Sequence, residues 1–210
     1  MFALGFPGYK IQSVKMDLHQ LQKTIYSYFP LLPDGQQQER DPIIEASLEF
    51  KNLKKLIVEE DHFIETSILK ELFDLAETKG FQVSLCNRLS IVHKKSMGLR
   101  IQIERIANQG ILTDRELVLA ISLLAPVYFM EIVQSKSQIG FLLEEGEVIE
   151  SAISQEFAFI QEYLNRKGYT RIDSNIYDIK IPDIAHLEID PGEFTYFNGL
   201  FRNSVGDLMY

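Results

Sequence analysis

The sequence predicts an α+β protein, with a helical N-terminal part packed on a small antiparallel sheet and one long helix in the C-terminal part. Three observations carry this. Amphipathic stretches of period 3.6 dominate the first eighty residues. β-rich runs (VYFMEIVQ, QIGFLL, YTRID, EFTYFNGLF) gather after residue 126. Between them lies one long helical stripe, EVIESAISQEFAFIQEYLNRKG. At 210 residues the chain suits a single α+β domain, helix-rich over 1–125 and mixed strand and helix over 126–210.

Taken in order, MDLHQLQKTIYSYF places Leu18, Leu21, Ile25, Tyr28 and Phe29 at helical spacing. Pro30 and Pro33-Asp34-Gly35 end that segment. A second helix starts at Asp41-Pro42, with Ile44, Leu48, Leu53, Leu56 and Ile57 as its apolar set. FIETSILKELFDLAETKG forms the clearest stripe, closed by Gly80 where a left-handed cap belongs. FQVSLC suits a short strand. MGLRIQIERIANQG fits a strand by alternation, and also a helix through Leu99, Ile103 and Ile106 that stops at Gly110; the helix is preferred. TDRELVLAISLLAP opens on the T-x-x-E capping box of Thr113 and Glu116, which predicts a buried helix up to Pro126. In the long stripe, Ile149, Ile153, Phe157, Ile160 and Leu164 share one face and Gly168 is the cap.

Charge divides the chain unevenly. The net of −9 falls almost wholly on residues 137–210, which hold 13 acidic and 5 basic side chains. No Lys or Arg stands between Lys136 and Arg166, where Glu144, Glu145, Glu147, Glu150, Glu156 and Glu162 lie. Such a field repels nucleic acid and anionic lipid and attracts a basic protein partner. The lone Cys86 forbids an internal disulfide and, with no apolar run of membrane-spanning length and no secretory leader, fits a cytoplasmic protein.

Motifs for chemistry are sparse. Glu59 and His62 make one E-x-x-H, where a di-iron bundle needs two and further Glu. His19, His62, His93 and His186 stand far apart, so neither a zinc site nor any other cofactor is expected. Cys86 with His93 could pair as nucleophile and base, but a cysteine beside Val83 and Leu85 suits a small buried hydrophobe. Arg88, His93, Lys94, Lys95, Arg100 and Arg105 form the most basic neighbourhood, with Glu104 its one acid. They suit a phosphate grip or an internal contact with the acidic C-terminal third. The carboxylates of Asp183, Glu188 and Asp190 and the imidazole of His186 could serve a small hydrolase or metal-dependent enzyme, the second reading. Asp190-Pro191-Gly192-Glu193 is better suited to a turn pairing HLEID with EFTYF, which would place His186, Glu188 and Asp190 on one outer face.

From Gly146 to Phe201 the chain resembles small bacterial proteins, some of which accompany polymorphic or contact-dependent toxins as immunity proteins. The likeness lies in the Glu-rich helix, GYTRID, IPDIAHLEI and GEFTYFNGLF. It implies a cytoplasmic inhibitor of one cognate toxin, without catalytic residues of its own. The residue reading agrees: an acidic surface meets a basic toxin, and aromatics among acids make interface anchors. The candidate contacts are Glu147, Glu150, Glu188, Asp190, Glu193 and Tyr196. Phe194, Phe197 and Phe201 fit core or interface equally, and the oligomeric state stays open.

Overall fold

Helices fill the first part of the chain and strands follow. The structure is a computed structural model that describes residues 17–31, 40–85, 95–138, 141–150, 155–190 and 192–202. The expected turn at Pro33–Gly35, the Cys86–His93 pair, Arg88 and Lys94 lie outside those residues. Helix α1 (Leu18–Tyr26) starts where Asp17 accepts a hydrogen bond from the His19 backbone N–H at 3.0 Å, and it buries Leu21 and Ile25. The expected second helix is split into α2 (Arg40–Ala46) and α3 (Leu48–Phe63). Ser47 divides them: its hydroxyl donates to the Ile44 carbonyl at 2.8 Å and accepts from the Phe50 N–H at 3.1 Å. A π-helical turn, Ile64–Leu69, leads into α4 (Lys70–Thr78); of the expected stripe, Ile64, Ile68, Leu69, Leu72 and Ala76 are buried, and Phe73 and Leu75 are half-buried.

Five strands then form a meander in spatial order: β1 (Gln82–Leu85), β2 (Ser96–Asn108), β3 (Ile111–Ser122), β4 (Val127–Gln138) and β5 (Phe141–Glu150). All neighbours are antiparallel. A two-residue strand β6 (Thr170–Arg171) joins the start of β4 in parallel, so the sheet is mixed. Two helices expected from the sequence are strands here. The run from Leu117 to Ile121 is 0% exposed at every residue, because both faces of β3 are covered. A strand buried on both faces loses its period-two signature and resembles a buried helix. In residues 96–108 the alternation was the true signal, and Gly110 closes a hairpin instead of a helix. Gln109 and Gly110 stand at φ 48° and 80°, the paired left-handed values of a type I′ turn.

The long C-terminal helix is also shorter than its stripe. Residues 141–150 extend β5, a 3₁₀ turn covers Gln155–Phe157, and helix α5 spans Ala158–Arg166. Ile160 and Leu164 are buried as expected, while Ile149 lies on β5 and Ile153 outside the described residues. Tyr163 donates to Glu71 at 2.8 Å, tying α5 to α4.

Gly98, Ala120 and Phe129 stand side by side across β2, β3 and β4. The Phe129 ring on this face meets Tyr177 at 5.6 Å, Phe197 at 5.2 Å and Phe201 at 6.1 Å. These rings come from α6 (Ser174–Tyr177), α7 (Tyr196–Leu200) and the residue after it. Within EFTYFNGLF, Tyr196–Leu200 is therefore a helix and not a strand. Thr195 and Asn198 form a reciprocal capping box that nucleates it, and its residues are all buried. The other face, with Leu99, Leu119 and Met130 in register, is equally buried. One contiguous apolar cluster unites residues from α1 to Phe201. Among the described residues no helix is long and apolar enough to cross a membrane.

Candidate functional site

The segment from Asp173 to Glu193 faces solvent with its acids and the core with its aliphatics. Ile181, Ile184, Ala185 and Phe194 are buried, whereas Asp173, Asp178, Asp183, Glu188, Asp190 and Glu193 are exposed. The expected hairpin of HLEID with EFTYF does not form. Instead the Ile181 N–H donates to the Phe194 carbonyl at 2.7 Å, and the Ala185 N–H reaches back to Pro30 at 2.9 Å. The loop is thereby closed on itself and pinned beside the end of α1. The apolar residues alternate irregularly there, so burial of Phe194 and Ile184 wins over ladder pairing.

Lys180, the one Lys or Arg between Asp173 and Glu193, binds Glu193 through both carboxylate oxygens at 2.7 and 2.8 Å. His186 packs its ring 5.5 Å from Phe194 and 6.1 Å from Phe29, and its Nδ1 accepts the Glu188 backbone N–H at 3.1 Å. That geometry holds Nδ1 as an acceptor, a structural role for the imidazole. Among the described residues no group of three or more His, Cys, Asp or Glu could hold a metal ion.

The six sequence-selected contacts are not brought together on one element. Glu188, Asp190 and Glu193 share the acidic loop. Glu147 and Glu150 lie on β5, in register with Gln134 and Ile132 of β4. Tyr196 is removed from the surface: it is 5% exposed, its hydroxyl donates to the Leu18 carbonyl at 3.4 Å, and burial raises its pKa. Winding 196–200 into a helix buries every side chain of GEFTYFNGLF from Tyr196 onward, so the aromatics are core.

Among the described residues, two cations of the basic neighbourhood pair with acids of β3. Arg105 makes a two-point contact with Asp114 at 2.7 and 3.0 Å, and Arg100 approaches Glu116 at 3.6 Å. Lys95 is fully buried, its ammonium 5.6 Å from the Phe29 ring centre. Sequence reading missed the pair Glu131–Arg171, which joins β4 to β6 at 2.9 Å with Glu131 only 1% exposed. Burial raises the Glu131 pKa, opposed by the Arg171 guanidinium. A lone Glu inside VYFMEIVQ was the available signal. Pairing inside a two-sided sheet is invisible without the register.

Two open clefts border these elements. One of about 300 Å³ lies between α1 and the β3–β4 connection, and one of about 610 Å³ lies between Phe81 and β2. No protein-family model, curated protein or solved structure matches the chain.

Proposed function

We propose that this chain is a protein-binding module whose acidic C-terminal surface engages a basic partner, most concretely as an immunity-type inhibitor of a basic toxin. The observation that supports it most is the loop from Asp173 to Asp190. It turns Asp173, Asp178, Asp183, Glu188 and Asp190 to solvent over a buried apolar backing, while Lys180 is held by Glu193. Carboxylates on a firmly backed loop steer a cationic surface into register and lose little entropy on docking. Glu147 and Glu150, on β5, extend the acidic character to the sheet.

The test captures partners from the native host with tagged protein and elutes them by a salt step, beside two charge-reversed variants. One carries Asp178→Lys, Asp183→Lys and Glu188→Lys, and the other Glu147→Lys and Glu150→Lys. A basic protein that leaves at high salt and is lost by the loop variant is expected, because exposed charge pairs are screened by salt. Equal retention of that partner by the loop variant would sink the reading. Loss by the β5 variant alone would move the contact to the sheet.

A further inference from the structure

The sheet has a second surface, on different elements from the acidic loop, along the outer side of β2. β1 pairs with β2 only over Leu99–Gln102, yet β2 runs on to Asn108 with β3 on its inner side. Among the described residues no strand pairs with the outer side of 103–108, which leaves about 20 Å of edge at roughly 3.3 Å per residue. β1 does not cover this edge because the chain before it comes from the end of α4, turning at Gly80 with φ 86°. Where a longer β1 would have lain there is the cleft of about 610 Å³, lined by Phe81, Gln82, Ile103, Glu104, Arg105 and Glu156.

The register sorts the side chains along the edge. Glu104, Ile106 and Asn108 stand opposite Arg115, Thr113 and Ile111 of β3, so they share one face. On that face Ile106 is 46% and Ile111 49% exposed, diagonal neighbours with apolar surface to cover. Arg105 lies on the other face, where Asp114 already binds it at two points. The cleft thus presents two exposed carboxylates, Glu104 and Glu156, against one guanidinium that is already satisfied. Backbone groups along an open edge bind an extended chain, and side-chain pockets at alternate positions choose which chain.

We infer that residues 103–108 accept an extended segment of a basic protein as an added strand. A Lys or Arg of that segment lies against Glu104 and Glu156, and an apolar residue two positions away covers Ile106. The probe is a fluorescein-labelled peptide, TVTKTV, followed by anisotropy against the full chain. Its comparisons are TVTETV and TVTKTV with alternate backbone amides methylated. Opposite-charge pairs across strands contribute up to about 1 kcal/mol and like charges cost as much, so the Lys peptide should bind on the order of tenfold tighter than the Glu peptide. Methylation should abolish binding, and saturating TVTKTV should slow amide exchange at 103–108. The loop charge reversals should leave this binding unchanged, which separates it from the acidic-loop contact. Absence of TVTKTV binding at millimolar peptide, equal affinity for TVTETV, or unaffected binding of the methylated peptide would each overturn the inference. So would a dimer in sedimentation whose 103–108 amides are protected without peptide, since a second copy would then own the edge.

Discussion

Replacing Phe129 by Ala tests whether the C-terminal aromatic layer is what covers one face of the sheet. The ring is fully buried and meets Tyr177, Phe197 and Phe201 at 5.6, 5.2 and 6.1 Å. Removing a buried phenyl costs about 3–5 kcal/mol, and the loss rises with the cavity left behind. Collapse into that cavity is poor here, because the flanking positions in the row are Gly98 and Ala120, which have little to move inward. Each lost ring pair adds up to roughly 1.5 kcal/mol of specific contact. The expected cost therefore sits at the upper end, about 4–5 kcal/mol, against a total stability of roughly 5–15 kcal/mol for a domain. Urea denaturation followed by circular dichroism gives the midpoint, and an unchanged slope lets the shift be read as stability. Hydrogen exchange should accelerate first in residues 174–201. A cost under about 2 kcal/mol, or acceleration confined to the helices before residue 80, would refute this account of the layer.

Three further outcomes follow from the sheet. Gly98→Ala should cost about 1–3 kcal/mol in the same denaturation, since a Cβ there would run into the Leu119 backbone carbonyl; a neutral substitution would contradict the β2–β3 approach. For Glu131, burial raises the folded pKa above the unfolded one, so the native chain holds that proton more tightly. The stability this contributes is complete below the ordinary carboxylate range and lost as pH rises through the raised value. Wild type should thus lose ground to Glu131→Gln between acidic and neutral pH, and a gap constant with pH would be evidence against it. Burial also raises the Tyr128 phenol to about 12, so its contribution is intact below the ordinary tyrosine pKa and lost as pH rises from there to the raised value. Denaturation at about pH 9 and about pH 11 should show wild type losing more stability than Tyr128→Phe over that interval.

Local chemistry carried the sequence reading where elements are amphipathic. The stripe of α4 was legible because one of its faces meets solvent, and the cap at Gly80 because glycine takes its positive φ of 86°. Legibility failed where both faces are buried. In β3 the apolar run lost its period, and the apparent capping box of Thr113 and Glu116 proved to be two positions on a strand. The opposite error arose at Tyr196–Leu200, where aromatic residues have high strand propensity but Thr195 and Asn198 supply a helix start. The acidic loop was legible as acidic and as turn-forming. Its docking against Pro30 was not, because that contact joins residues separated by more than half the chain.

Folding also redistributes the charge that the sequence displays. Five basic side chains belong to residues 137–210. Lys167 pairs with Glu71 of α4, Arg171 with Glu131 of β4, and Lys180 with Glu193. Arg202 is buried. Two of those partners precede residue 137, so positive charge counted for the C-terminal third offsets carboxylates that lie elsewhere. The basic neighbourhood shows the converse, since Asp114 and Glu116 on β3 hold Arg105 and Arg100. Arg100, Arg105, Lys167, Arg171 and Lys180 are thus paired within the chain, and Asp173, Asp178, Asp183, Glu188 and Asp190 are exposed on one loop. A field of one sign over a confined surface acts most on encounter rates. Association of the proposed basic partner should therefore slow with ionic strength, and more steeply in wild type than in the loop-reversed chain. Equal salt slopes in stopped-flow binding would assign the attraction to the protein's net charge instead of to the loop.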